Sequence, residues 1–228
     1  PRHVAFLLDC VAALQRDLAA RGLTLIVRTG SMLQVLQSLR REFAFTHLLS
    51  SEETGPGWSY TRDLAVADWC RNQGVGWTEF PQTGVVRRLR SRDGWAGRWA
   101  QRMQAAEAPH ATGFKSAPGS RPGTLPTLGG LGLPHVGAAV PPGGERAAWA
   151  TLDSFLGGRG LGYRSAMSSP LTATEGCSRL SAHLAFGTIS MRCVHQATEP
   201  CIAATPDRSL AYGLRRTRQR SLSSADRR

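Results

Sequence analysis

Lysine is nearly absent from this chain. Lys115 is the only one among 228 residues, and every other residue of the 28 basic ones is Arg. Against 16 acidic residues this leaves a net charge of +12 and a pI of about 11.0. Such a balance favours polyanionic partners, nucleic acid above all, although a pure Arg bias fits GC-rich coding equally well. Long apolar runs are also missing. No stretch approaches the roughly 18 apolar residues of a membrane span, and no membrane partner is expected. The five cysteines, Cys10, Cys70, Cys177, Cys193 and Cys201, form no CxxC pair and have no His at metal-ligand spacing, so no metal site is expected. Scattered thiols of this kind read as reduced and cytoplasmic. A GxGxxG or Walker-type loop is lacking, which argues against a standard dinucleotide or ATP site. Pro1-Arg2-His3 leads straight into a helical pattern with no signal peptide, so the chain is expected to begin in mid-domain.

What is present is an alternation of helices and strands. Leu7, Val11, Leu14 and Leu18 fall on one helical face, and Gly22 stands where a glycine cap would close it. Leu23–Val27 is short, apolar and β-rich, and predicts a buried strand. Ser31 is a candidate N-cap for a second stripe, Met32, Val35, Leu36, Leu39 and Phe43. His47–Ser50 predicts another strand, 59–72 a helix closed by Gly74, and Val75–Phe80 a third strand. This order implies βαβ units and a parallel sheet covered by helices. Ligands of such sheets gather beyond the carboxyl ends of the strands, where Glu52 and Glu53 lie at one end.

From Val85 to Met103 six Arg are interleaved with Trp95 and Trp99. The pattern suits a nucleic-acid surface or a domain-packing helix whose Arg side chains reach past a buried Trp pair. Packing is the favoured reading, with Asp93 as the helix cap. Residues 107–144 are crowded with Gly and Pro and predict an exposed, mobile connector. A helix with Ala148, Leu152, Phe155 and Leu156 inward follows, closed by Gly157-Gly158.

The stretch 159–192 then combines Ser168-Ser169-Pro170, the block Cys177-Ser178-Arg179-Leu180-Ser181, and the apolar run Leu184-Ala185-Phe186 ending at Gly187. Hydroxyls and a cation ahead of a helical segment read either as a plain cap or as a turn that holds an anion. Thr188 is a candidate start for the helix containing Ile189, Val194 and Ala197. His183 and His195 have no carboxylate at a convincing spacing and are given no acid–base role.

Tyr163, Pro170 and the block from Cys177 to Ser190 resemble the opening of the flavin-binding domain of the cryptochrome/photolyase family. There, a Tyr and a Thr-Ser-x-Leu-Ser-Pro-(Tyr or His)-Leu-x-(Phe or Trp)-Gly block wrap the diphosphate of FAD. Ser178, Leu180, Ser181, His183, Leu184, Phe186 and Gly187 stand in register with it, whereas Cys177 replaces a Thr and Ala182 a Pro. The stretches from Phe6 to Leu36 and from Glu52 to Val66 are similar to the family's antenna domain, and Gly143–Leu156 to the first helix of its flavin domain.

The resemblance implies an α/β fold: a partial Rossmann-like parallel sheet followed by the start of an all-α FAD-binding domain. It divides the chain into a partial antenna-binding domain at 1–105, a linker at 106–142, the first part of the FAD domain at 143–199 and a basic, disordered tail at 200–228. That tail carries seven Arg against Asp207 and Asp226 from Cys201 on. About sixty family residues before Phe6, and most of the flavin domain after Glu199, have no counterpart here, and a frame change or premature end is one explanation. The function implied is blue-light-driven, FAD-dependent repair of DNA containing cyclobutane pyrimidine dimers, or a truncated remnant of it. The alternatives are a cryptochrome-type photoreceptor or an inactive fragment. Tyr163, Cys177, Ser178, Arg179, Leu180 and Ser181 are the implied FAD contacts, and a folate or deazaflavin is the implied antenna pigment. No catalytic side chain is assigned.

Overall fold

The computed structural model describes residues 1–81, 85–87, 89–109 and 111–205. His110, Arg88 and residues 206–228, with most of the expected basic tail, lie outside them.

Helix α1 (Arg2–Ala19) is followed by α2 (Met32–Phe43), β1 (His47–Ser51), α3 (Gly57–Asn72) and β2 (Gly76–Phe80). The two strands pair in parallel and in register, His47 opposite Gly76 through Ser51 opposite Phe80. The ladder continues one bond beyond each end, from Gly76 N–H to the Thr46 carbonyl and from Glu52 N–H to the Phe80 carbonyl, 2.9 Å each. Gly22 and Gly74 close α1 and α3 as expected. Both have positive φ, +73° and +63°, and each lets the next amide bond back into the helix, Leu23 to the Leu18 carbonyl and Val75 to the Cys70 carbonyl.

Two expectations fail in this half. Leu23–Val27 is not a strand. Its β-prone residues have no parallel neighbour among the described residues, so its amides bond to the Gly/Pro-rich stretch instead: Thr24 N–H to Ser116 Oγ at 2.7 Å and Val27 N–H to the Pro122 carbonyl at 2.6 Å. Propensity alone does not make a strand without a ladder to join. The inward face of α1 is also displaced. Leu7 and Leu14 are exposed, and Phe6 and Cys10 are buried. Helix α1 is apolar on both sides, and the side that finds a close partner wins. Asp9 Oδ2 accepts the Gly143 amide at 2.6 Å, and a Cβ on Gly143 would stand 2.7 Å from the Cys10 amide nitrogen. Only glycine permits this approach.

Helix α4 (Trp95–Gln104) starts from Gly94 in the left-handed region, not from Asp93, which bonds with Ser91 instead. Residues 111–142 contain only a 3-10 turn at Gly129–Leu131. They are held at Ser116 and Pro122 and by Arg2 on the Ala139 carbonyl.

Helix α5 (Glu145–Gly157) buries Ala148, Leu152 and Phe155. A 3-10 turn at Arg159–Gly162 leads into α6 (Tyr163–Ala166), α7 (Pro170–Gly176), α8 (Ser181–Ala185) and α9 (Met191–Ala204). The start of α9 is Ser190, whose Oγ accepts the Cys193 amide at 3.0 Å. Thr188 instead bonds His183. Helix α9 runs to Ala204, so residues 200–204 are helical, with Pro200 inside. Helix α4 packs on α9, and the last carbonyls of α4 are met from α9: Arg192 donates to Arg102 and Ala106 carbonyls, Gln196 to those of Met103 and Ala105. The packing reading of the Arg/Trp stretch therefore describes α4.

One core gathers Leu36, Val66, Trp69, Cys70 and Val75 between β1–β2 and the helices α2 and α3. A second gathers Ala148, Leu152, Leu180, Ile189 and Val194. Phe6 joins the α/β part to the helical part, its ring 5.2 Å from that of His183 and 5.5 Å from that of Phe186. Burial raises the thiol pKa of Cys10, Cys70 and Cys193, and all five cysteines are free.

Candidate functional site

The Ser-Pro pair opens α7 as its composition suggests. Ser169 Oγ accepts the Leu171 amide at 3.3 Å, with Pro170 at the first helical position. Helix α7 lies tight against α6, since a Cβ on Gly176 would sit 2.3 Å from that of Ala166. The chain then turns through Cys177–Leu180 into α8. Arg179 takes φ +60° there, a left-handed conformation uncommon for a side chain of this size.

The turn is held from both sides. Arg179 Nε donates to the Thr174 carbonyl at 2.7 Å, and its Nη2 pairs with Glu175. On the inner side Arg159 donates through Nη1 to the Cys177 carbonyl at 2.6 Å and the Glu175 carbonyl at 3.3 Å. Through Nη2 it reaches the Thr151 carbonyl at 3.0 Å and the Ser178 carbonyl at 3.5 Å, and through Nε the Ser154 hydroxyl at 2.9 Å. Burial, then the charge of Arg179, lowers the pKa of Arg159, yet a guanidinium stays charged in proteins. Two cations thus flank one turn.

Of the residues expected to contact flavin, the structure brings Cys177, Ser178, Arg179, Leu180 and Ser181 together in this turn. Leu180 points into the core, 1% exposed, and offers the turn only its backbone. Ser178 is half-buried and Ser181 exposed. Cys177 is half-buried, its Sγ 3.6 Å from the Thr174 carbonyl. Tyr163 stands apart: it is buried against Phe155, with ring centroids 6.1 Å apart, beside Met167, Cys201 and Ile202. No hydrogen bond joins it to Ser178–Ser181 among the described residues. His183 is buried, with Nδ1 2.8 Å from Thr188 Oγ1, and burial lowers its pKa. His195 lies edge-on to Trp99 at 5.2 Å, and its Nδ1 is 3.9 Å from Glu199.

A cleft of about 400 Å³ lies at the carboxyl end of β1, with Trp77 of β2 also in its wall. Ser50, Ser51, Glu52, Glu53, Thr54 and Arg62 line its polar side, and Leu184 and Ala185 of α8 close it from the helical part. An ionic cluster that sequence spacing did not reveal forms its wall. Arg62 bonds Asp63 at 2.7 Å and Glu53 at 3.4 Å. Arg87 donates to both oxygens of Glu79 at 2.9 and 3.1 Å, to Asp63 at 3.2 Å and to the Glu53 carbonyl at 2.7 Å. The Asp63 carboxylate raises the pKa of Arg62. Arg87 is 24 residues from Asp63 and 34 from Glu53 in the chain, and only the fold brings it back over α3. No group of His, Cys, Asp and Glu suited to a metal occurs among the described residues, and no described helix is long and apolar enough to cross a membrane.

The described residues thus form a helix-rich α/β architecture with a cleft at a strand end and a turn between α7 and α8. In fold the chain is similar to a bacterial class III photolyase from Agrobacterium tumefaciens, with a TM-score of 0.72 at 23% identity over 96% of this chain and 48% of that one. Residues 1–105 match the DNA photolyase family model. The chain is 31% identical over 211 residues to the deoxyribodipyrimidine photo-lyase of Halobacterium salinarum, covering 86% of this chain and 43% of that protein. These likenesses support the photolyase/cryptochrome family for this chain, which spans less than half the length of that relative.

Proposed function

We propose that this chain supplies two parts of a flavin-dependent, blue-light-driven DNA photolyase: the α/β unit with a cleft for an antenna pigment, and the turn that meets the diphosphate of FAD. The proposed units are residues 1–105, a connector at 106–142 and the first part of the flavin domain at 143–199. The observation that carries this reading is the Cys177–Ser181 turn. It is pinned by two guanidinium groups, keeps Leu180 in the core and leaves the Ser181 hydroxyl in solvent. Hydroxyl donors beside net positive charge fit a diphosphate.

In this reading Ser178 and Ser181 donate to phosphate oxygens, while Arg179, anchored on Thr174 and Glu175, lends its charge at the rim. Cys177 and Leu180 act through their backbone. Tyr163, packed on Phe155, forms wall rather than ligand. FAD, when bound, supplies the electron that splits a pyrimidine dimer in DNA, with the damaged bases taken out of the stack. The carboxylates Glu52 and Glu53 fit the N–H donors of a folate or deazaflavin in the strand-end cleft.

The test is a graft of residues 1–199 in place of the matching half of the Halobacterium salinarum photo-lyase. The account expects a yellow protein that repairs dimer-containing oligonucleotides under blue light and loses flavin when Ser178 and Ser181 are both changed to Ala. A folded, yellow graft that leaves dimers intact would point to a light sensor. A folded graft without flavin would remove the reading.

A further inference from the structure

We infer that Arg159 is the positioning residue of the 177–180 turn, fixing its backbone in place before any ligand arrives. An arginine has five N–H donors. In this chain all five have acceptors: Ser154 Oγ and the carbonyls of Thr151, Glu175, Cys177 and Ser178. These come from α5, from the last turn of α7 and from the turn itself. The guanidinium also lies over the Phe155 ring, 5.9 Å from its centroid, which fixes its plane. Carbonyls of Cys177 and Ser178 that are turned inward to Arg159 leave the side chains at the outer surface of the same turn free to face a ligand.

No carboxylate forms a salt bridge with Arg159 among the described residues. Its charge is solvated by carbonyl dipoles and not cancelled, so the turn keeps a positive potential while every donor of Arg159 is occupied. Arg159 thus orients and biases the site without touching the ligand. Lysine cannot replace it: it keeps the charge but has a single nitrogen, which cannot span acceptors on three segments. Arg179 holds the turn only from its exposed side, to α7 through the Thr174 carbonyl and Glu175, and makes no bond to α5 or to the carbonyls of Cys177 and Ser178 among the described residues.

The consequence for ligand binding rests on the flavin reading above; the consequence for the turn does not. The experiment is amide hydrogen exchange, read by mass spectrometry, on the 228-residue chain and its Arg159→Lys and Arg159→Met variants, each with and without FAD. The expected result is exchange at least about tenfold faster across Cys177–Leu180 in both variants, a local loss of about 1.4 kcal/mol of opening free energy. The amides of Ala148–Phe155 in α5 should change little. FAD should slow exchange in the wild-type turn and not in the variants. An unchanged turn in a folded Arg159→Lys protein, or equal acceleration through α5 and α9, overturns the inference. If the turn loosens in the variants but FAD never protects it in the wild type, Arg159 keeps its role and the flavin reading fails.

Discussion

Arg159 and Arg179 lie twenty residues apart in the chain and meet at the same turn from opposite sides. One is enclosed by carbonyls and holds the backbone; the other lies outside on Glu175. Sequence reading assigned Arg179 a place beside a phosphate and gave Arg159 no role, because a guanidinium that bonds to main-chain carbonyls leaves no pattern in side-chain types. His183 is a second residue whose meaning comes from packing. It sits in the family block, but its ring is buried against Phe6 and bonded to Thr188. Burial lowers its pKa from 6.5. Below that value the unfolded chain binds a proton that the folded chain refuses, so the contribution of His183 is present above pH 6.5 and is lost as pH falls towards the folded pKa. Urea midpoints at about pH 7.5 and about pH 5.5 should therefore differ more for the wild type than for His183→Gln. Equal pH dependence of the two would show that the imidazole does not resist protonation in the fold.

At the scale of elements, the helices were legible and the faces less so. The closing glycines Gly22, Gly74 and Gly157-Gly158 were readable because positive φ or a helix stop demands a residue type. The inward stripe of α5 was readable because Ala148, Leu152 and Phe155 follow helical spacing and all are buried. Helix α1 was not, because Phe6–Cys10 and Leu7–Leu14 are equally apolar and the choice depends on Gly143, some 130 residues away in the chain. Leu23–Val27 was misread for a related reason: a strand is a property of a pair, and its neighbours here are Ser116 and Pro122. The junction of α4 and α9 depends on Met103, which is 1% exposed, and on Arg192 and Gln196 at the helix end. Met103→Ala should destabilise the chain by about 2–5 kcal/mol, the usual range for emptying a core site of this size. A loss below about 1 kcal/mol in chemical denaturation would mean that α4 is not anchored there.

At the scale of the whole molecule, the α/β part and the helical part are joined where Phe6 of α1 meets His183 within α8 and Phe186 just after it. The cleft that receives the strand ends is closed by Leu184 and Ala185 of that same helix. One short helix thus borders both the proposed antenna cleft and the proposed phosphate turn. The strands His47–Ser51 and Gly76–Phe80 and the helix between them were visible in sequence, since their alternation is a local pattern. The ionic cluster of Arg62, Asp63, Glu79 and Arg87 was not, since it exists only after α3 and β2 are stacked.

The central claim is that the Cys177–Ser181 turn receives the diphosphate of a flavin dinucleotide. Equilibrium dialysis of the 228-residue chain against FAD and against riboflavin, which shares the ring but has no phosphate, tests it most directly. A single turn meets only one part of so large a ligand, so the account predicts weak retention of FAD, at least about tenfold above that of riboflavin, a difference of about 1.4 kcal/mol, and abolished in Ser178→Ala/Ser181→Ala. Equal retention of FAD and riboflavin, or FAD binding untouched by the double substitution, would contradict it.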